Sequence, residues 1–269
     1  MKFKDLINHL DEQFPKSLSL PDDSDGVDVC VDYNLEIGRI LVVLDVTLEA
    51  IDYAVTHGYN CIISHHTMIY FPLKKLDLST AASKKAVMLA RHNICAASFH
   101  TRLDSVAGGV NDCLLKAANI NGSVELLYED NVPIGRVVAL DEELDLKDFV
   151  CNVIKSMTEF YKKEFSRDMD INIKYIKSGG KVKKIGSVSG GAATCIEIAA
   201  GAGADTFFAG EVKYPAFLEA HETFGMNTVT AGHFETEAVV LPFVKQKILE
   251  KFPHAKVDCF IGENMIYNL

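Results

Sequence analysis

The sequence predicts an α/β protein with a mainly parallel sheet, built around an internal repeat. Short, nearly unbroken apolar runs such as Ile40-Leu41-Val42-Val43-Leu44 and Cys61-Ile62-Ile63 have strand length and suit burial on both faces of a sheet. Amphipathic helical patterns separate them, the alternation expected of a parallel sheet. The third observation is an internal repeat. Residues 40–66 and 185–211 have equal length, and each runs strand, turn, helix, glycine (Gly58, Gly203) and strand. Residues 94–104 likewise match 227–237, each a strand ending in a histidine (His100, His233) with a carboxylate four residues later (Asp104, Glu237). A repeated unit suggests a site formed where the copies meet.

Taken in order, Phe3, Leu6, Ile7, Leu10 and Phe14 make a helical stripe that Pro15 ends. The Ser-, Pro-, Asp- and Gly-rich stretch 17–26 reads as a loop. A strand over 27–33 and a stronger one over 40–45 follow. Thr47 is placed to cap a helix that runs to His57, where Gly58 stops it. The next strand ends in Ser64-His65-His66. Neighbouring strand residues point to opposite faces, so both imidazoles can serve one site only where the strand has ended. A loop with Phe71-Pro72, a helix over 80–92 and a strand over 94–99 lead to His100 and Asp104. Gly108-Gly109 precedes a helix through Leu115. Strand 136–140, helix 145–165 and strands 171–176 and 181–188 complete the alternation, and the basic stretch 177–184 reads as a solvated hairpin. The expected division is a first α/β lobe of 1–125 and a second of 126–269.

Composition narrows the function. The 269 residues carry a net charge of -10, which opposes wrapping around a polyanion, so no direct nucleic-acid partner is expected. No apolar run reaches the roughly eighteen residues of a membrane span. Met1-Lys2-Phe3-Lys4-Asp5 leads into mixed charge rather than an apolar signal region, and a cytoplasmic location is expected. Seven cysteines occur singly with no CxxC pair, as small buried hydrophobes would in a reducing compartment, and they argue against a thiolate zinc site.

The strand ends supply His65, His66, His100, Asp104, His233 and Glu237, with Glu211 and Glu235 as further acids. Ligands of open α/β sheets collect at the carboxyl ends of strands, so these groups are candidates for one cleft. Imidazole with carboxylate suits borderline divalent ions such as zinc, manganese, iron or cobalt, whereas calcium prefers oxygen alone. The set exceeds one tetrahedral site, which points to two ions with a bridging carboxylate, Glu237 or Asp104. His100 is either a general acid/base beside the metals or a residue that orients Asp104. The glycines of Ser189-Gly190-Gly191 fit neither GxGxxG nor GxxxxGK[ST], and tight turn geometry accounts for them. His9, His57, His92, His221 and His254 have no acid partner in register.

These residues carry a resemblance. Ile63-Ser64-His65-His66, Phe71-Pro72-Leu73-Lys74-Lys75-Leu76, His100-Thr101-Arg102-Leu103-Asp104 with Gly108-Gly109, Ser189-Gly190-Gly191, Gly210-Glu211-Val212-Lys213-Tyr214 and Ala231-Gly232-His233-Phe234-Glu235-Thr236-Glu237 stand in the order of the Nif-three-like family. The chain resembles that family along almost its whole length. Its members are often named GTP cyclohydrolase 1 type 2 homologues. The resemblance implies two intertwined α/β repeats with mainly parallel strands and, between the repeats, a dinuclear metal centre with His65, His66, Asp104, His233 and Glu237 as ligands and Glu237 as the bridge. It also implies a homohexameric ring and a small-molecule substrate such as GTP. His100 falls on a histidine close to the metals that is not counted as a ligand. The expected function is a metal-dependent hydrolase, and the alternative is a non-catalytic ring that carries metal or serves as a scaffold. One motif departs: family members have a Trp-Asp-Asn-Val-Gly-Leu type segment near the amino end, where this chain has Pro21-Asp22-Asp23-Ser24-Asp25-Gly26-Val27 and no tryptophan. The short connection between the halves also lacks the domain that longer members insert there.

Overall fold

The computed structural model describes residues 1–262. The chain divides into two compact units, one made of residues 1–103 with the segment from 241 onward, the other of residues 104–240. The expected boundary after residue 125 differs from this division. Residues 104–125 group with the second unit, and the C-terminal segment returns to the first.

The first unit opens with α1 (Phe3–Gln13), whose Phe3, Leu6, Ile7 and Leu10 are buried as the stripe requires. β1 (Gly26–Val29), β2 (Arg39–Val43), α2 (Leu48–His57), β3 (Cys61–Ser64), α3 (Ala81–Arg91) and β4 (Cys95–Ser98) follow. The Thr47 hydroxyl accepts the Ala50 N–H at the start of α2, and Gly58 ends that helix at φ 72°, a conformation that favours glycine. Leu41, Val43, Ile51, Ile62 and Leu89 meet in a fully buried core, each side chain contributing about 1.5–3 kcal/mol.

The chain crosses into the second unit within α4 (Thr101–Ser105). There it forms α5 (Val110–Ala117), β5 (Ser123–Glu129), β6 (Val132–Asp145), α6 (Leu146–Phe165), β7 (Lys174–Ile176), β8 (Lys181–Gly191), α7 (Ile196–Gly201), β9 (Thr206–Glu211), α8 (Tyr214–Glu222), β10 (Asn227–Thr230) and α9 (His233–Glu237). Its sheet has the order β5-β6-β8-β9-β10-β7, parallel in β8-β9-β10 and antiparallel toward both edges. The basic stretch is therefore not a hairpin: β7 and β8 are consecutive in sequence, but β9 and β10 lie between them. β5 escaped the sequence reading because its apolar residues Val124, Leu126 and Tyr128 are exposed, so its pattern carries no core signal.

The returning segment adds α10 (Leu241–Lys251) and β11 (Lys256–Phe260) to the first unit, whose sheet reads β1-β4-β3-β2-β11. The repeat is visible in the register. Ile40 pairs with Cys61 in one sheet and Ile185 with Thr206 in the other, the same 21-residue offset. It reaches further than the sequence suggested, because β1 lies antiparallel on β4 as β7 does on β10. Among the cysteines, Cys61, Cys95 and Cys195 are buried, while Cys151 is exposed.

Candidate metal centre

In the first unit, β3 is buried throughout and its ladder continues one step past the strand. The N–H groups of His65 and His66 reach the Val43 and Leu44 carbonyls at 3.2 and 3.0 Å, and the Ser64 hydroxyl turns back to donate to the His66 carbonyl at 2.9 Å. The chain thus turns where adjacent imidazoles need it to. Their ring centroids lie 4.9 Å apart, and the His100 ring, delivered by β4, lies 5.4 and 5.7 Å from them. One ligand atom from each of the three falls within 4.8 Å of the others, a grouping that can hold a metal ion.

Each ring is also oriented. His65 Nδ1 donates to the Phe99 carbonyl at 3.2 Å, His66 Nδ1 to Asp45 at 2.8 Å and His100 Nδ1 to Asp23 at 3.0 Å. A donor hydrogen on Nδ1 puts the lone pair on Nε2, the atom a metal or a migrating proton would take, and an acceptor behind the ring raises its basicity.

The loop before β1 does more than its composition suggested. The Asp23 side chain is almost fully buried and accepts the Thr101 N–H at 2.9 Å as well as the His100 ring. Burial resists its ionisation, but the bonds from His100 and Thr101 outweigh that and hold its carboxyl well below the usual range. Asp25 accepts the His100 N–H at 3.2 Å and the Arg102 Nε at 2.6 Å, and also pairs with Lys16. Arg102 is buried and further bound by Asp11 and the Phe14 carbonyl. The segment that replaces the Trp-containing motif therefore positions His100. Residues 23 and 100 are far apart in sequence with no shared pattern, so the only available signal was the density of acids in Asp22-Asp23-Ser24-Asp25.

In the second unit, β8 runs on through Gly191, so Ser189-Gly190-Gly191 is a strand end rather than a turn. The Ser189 hydroxyl donates to Asp104 at 3.2 Å, and the Gly190 N–H reaches Thr236 at 3.2 Å. A Cβ on Gly190 would run into the Glu237 carboxylate and crowd His233, and its φ of 61° independently favours glycine. Close approach of backbone to these side chains, more than turn geometry, explains that glycine. His233 Nε2 lies 3.1 Å from Glu237 and Nδ1 lies 3.1 Å from Glu211. Carboxylate oxygens of Asp104 and Glu237, both buried, lie within 4.8 Å of each other.

The two His-xxx-carboxylate segments are not in strict register. Cys95 and Asn227 are equivalent by pairing, so the second copy has one additional residue before its histidine. Gly232 absorbs it at φ 95° with its Cα against Glu235, whose carboxylate a Cβ would strike. Glu235 is buried, and its carbonyl accepts the Tyr161 hydroxyl at 2.7 Å, which ties α9 to α6. Among the described residues, the metal-capable groups include none of His9, His57, His92, His221 and His254. His9 and His57 bind backbone carbonyls, and His221 binds Ser178.

The three imidazoles of the first unit, each oriented through Nδ1, therefore fit a metal ion. Among the described residues, no helix is long and apolar enough to cross a membrane. The profile of the Duf34/NIF3 (NGG1p interacting factor 3) family matches residues 1–265. A Clostridium perfringens protein named GTP cyclohydrolase 1 type 2 homolog is 30% identical over 254 residues, covering 93% of this chain and 92% of its own. A Clostridium acetobutylicum protein of the same name is 29% identical over 243 residues, covering 88% and 85%. The crystal structure of a Bacillus cereus protein related to NIF3 superposes with a TM-score of 0.84 at 18% identity, over 100% of this chain and 99% of that one.

Proposed function

The chain belongs to the Duf34/NIF3 family, and on that premise we propose that it is a dinuclear metal-dependent hydrolase acting on a purine nucleotide such as GTP. The observation that carries the reading is the Nδ1 anchoring of His65, His66 and His100, because three clustered imidazoles bound through Nδ1 keep the Nε2 lone pairs for a metal or a proton. The proposed ligands are His65, His66, Asp104, His233 and Glu237, with Glu237 as the bridge. The ions are two of zinc, manganese, iron or cobalt, which imidazole and carboxylate accept. When bound, they would supply Lewis-acid polarisation and positive charge. His100 is the proposed catalytic residue: Asp23 holds the hydrogen on Nδ1, so that Nε2 can accept a proton and return it. The names of the clostridial relatives support GTP as the substrate.

The proposal includes a homohexamer in a reducing cytoplasm. The edge strand β5 offers Val124, Leu126 and Tyr128, about half exposed, on one face, an apolar stripe suited to cover by another copy. Light scattering on the eluting protein tests the assembly, and a monomer would remove it.

The activity is tested on metal-analysed protein offered GTP and generic phosphoesters. Two ions per chain are expected in the wild type. Glu237→Ala should lose both metal and turnover, whereas His100→Ala should keep its metal and lose turnover. Two bound ions with no turnover of any substrate would favour a metal carrier or scaffold, and no metal under any loading condition would end both readings.

A further inference from the structure

The two copies of the repeat differ most just after β3. Cys61 pairs with Cys95, whereas its counterpart Thr206 pairs with Asn227, so 34 residues separate equivalent positions in the first copy and 21 in the second. The second copy passes from Glu211 to Tyr214 almost directly into a helix; the first inserts a loop between His66 and α3. That loop and the start of α3 line an open pocket of about 700 Å³ whose lining includes Met68, Tyr70, Phe71, Lys74, Lys75 and Thr80. We propose that this inserted loop is a binding site for a phosphorylated planar ring, of the nucleoside phosphate class. The inference rests on the nucleotide reading above and assigns the residues that recognise the nucleotide.

The volume lies within the range of small-molecule sites. Tyr70 and Phe71 stand edge to face, ring centroids 5.0 Å apart at 82°, so one aromatic face remains presented when the other ring packs against it. Phe71 is 77% exposed, a large apolar surface that stacking on a purine would cover. Neither Lys74 nor Lys75 makes an ion pair with any described residue, although the chain carries an excess of acids. Adjacent cations with no carboxylate partner favour an anionic occupant over the apolar face of a second copy, where they would be buried without compensation.

The loop is also held in shape. The Ile69 N–H donates to Asp28 at 2.9 Å on one side. On the other, the buried Ser83 hydroxyl accepts the Asp77 N–H at 2.7 Å and reaches the Lys75 carbonyl at 3.3 Å. A cavity wall fixed at both ends loses less entropy on binding than a free loop of the same length would.

Affinities for GTP, guanosine and inorganic triphosphate would be measured by calorimetry on the full-length, metal-loaded protein, in a His100→Ala background so that ligand is not consumed. Phe71→Ala should weaken GTP and guanosine alike by about tenfold. Lys74→Ala with Lys75→Ala should weaken GTP and triphosphate by about tenfold, more at low than at high salt, and leave guanosine unchanged. All these positions lie on a surface loop, and unchanged melting of the variants checks that the fold is kept. GTP affinity indifferent to the variants overturns the inference, as does a Phe71→Ala protein that changes its mass in light scattering but not its affinity. Wild-type GTP turnover with cavity-independent binding sinks this inference alone. Cavity-dependent binding with no turnover in the wild type sinks the hydrolase reading alone.

Discussion

The two copies of the repeat share a backbone frame and furnish it differently. Register places His65 and His66 of the first copy on Gly210 and Glu211 of the second, since Ser64 and Ala209 close equivalent pairings. In the first copy, large side chains occupy the strand end, and acceptors behind them (Phe99, Asp45, Asp23) set their orientation. In the second, the strand ends are glycine, because a Cβ on Gly210 would meet the Thr236 hydroxyl and the Gly190 carbonyl. The carboxylates there are placed by backbone approach. One copy thus presents mainly nitrogen donors held by side chains, and the other presents mainly oxygen donors held by close packing.

The two units also differ at their buried arginines. In the first unit Asp25, whose side chain is wholly buried, binds Arg102, the His100 N–H and Lys16, while Arg102 is also held by Asp11 and the Phe14 carbonyl; in the second unit Asp112 grips Arg136 at 2.7 and 3.0 Å but keeps some exposure, and Arg136 also donates to the Pro133 and Gly135 carbonyls. Asp25→Ala should therefore cost about 3–5 kcal/mol in denaturant unfolding, the usual penalty for breaking a buried ion pair by removing one partner. Asp112→Ala should cost less. The reverse order would mean that the first copy is not the one stabilised through side-chain pairs.

Metal affinity comes next. Asp45→Asn replaces the charged acceptor behind His66 with a neutral one and should weaken binding about 10–100-fold in chelator competition. Glu211→Gln should do less, because Glu211 is exposed and His233 is also held through Glu237. Equal losses would erase the distinction between the two modes of support.

The parts of this arrangement that were legible in the sequence are those written locally. Apolar strand runs, the Thr47 cap and Gly58 stop, and the equal spacing of 40–66 and 185–211 all express short-range rules, and they recovered the α/β frame and the parallel strand triplets. What stayed hidden depends on contacts between distant residues. Asp23 and His100 meet only because β1 folds antiparallel onto β4. Gly190 looked like a turn residue because the side chain that would strike its Cβ, Glu237, lies far along the chain. β5 was silent because its apolar face is turned outward, and the return of α10 and β11 to the first unit has no periodic signature at all.

Glycines provide a smaller contrast. Gly58 and Gly190 both have positive φ, 72° and 61°, but a Cβ on Gly58 meets nothing within 4 Å. Gly58→Ala should cost about 1 kcal/mol through backbone strain alone and leave metal content unchanged. Gly190→Ala carries the same strain and also displaces Glu237, so metal analysis should show a loss that melting alone would not anticipate. Metal content unchanged in Gly190→Ala would refute placement of the second copy's donors by backbone approach.

The smallest effect is one of pH. Burial opposes the charge of Asp112, but two bonds from the Arg136 guanidinium and one from the Gly108 N–H prevail, and its carboxyl is held below the usual range. A carboxylate whose pKa is lower in the folded than in the unfolded chain, where it is about 3.9, stabilises the fold fully above that value and loses its contribution as the pH falls through the folded pKa. Asp112→Asn should therefore be less stable than wild type near neutrality, with the gap narrowing as denaturant curves are taken below about pH 4. Part of any gap can come from altered hydrogen-bond geometry, which does not titrate. The informative quantity is thus the change in the gap with pH, and a gap of constant size from neutral to acid would mean that shape, not charge, is what Arg136 requires of its partner.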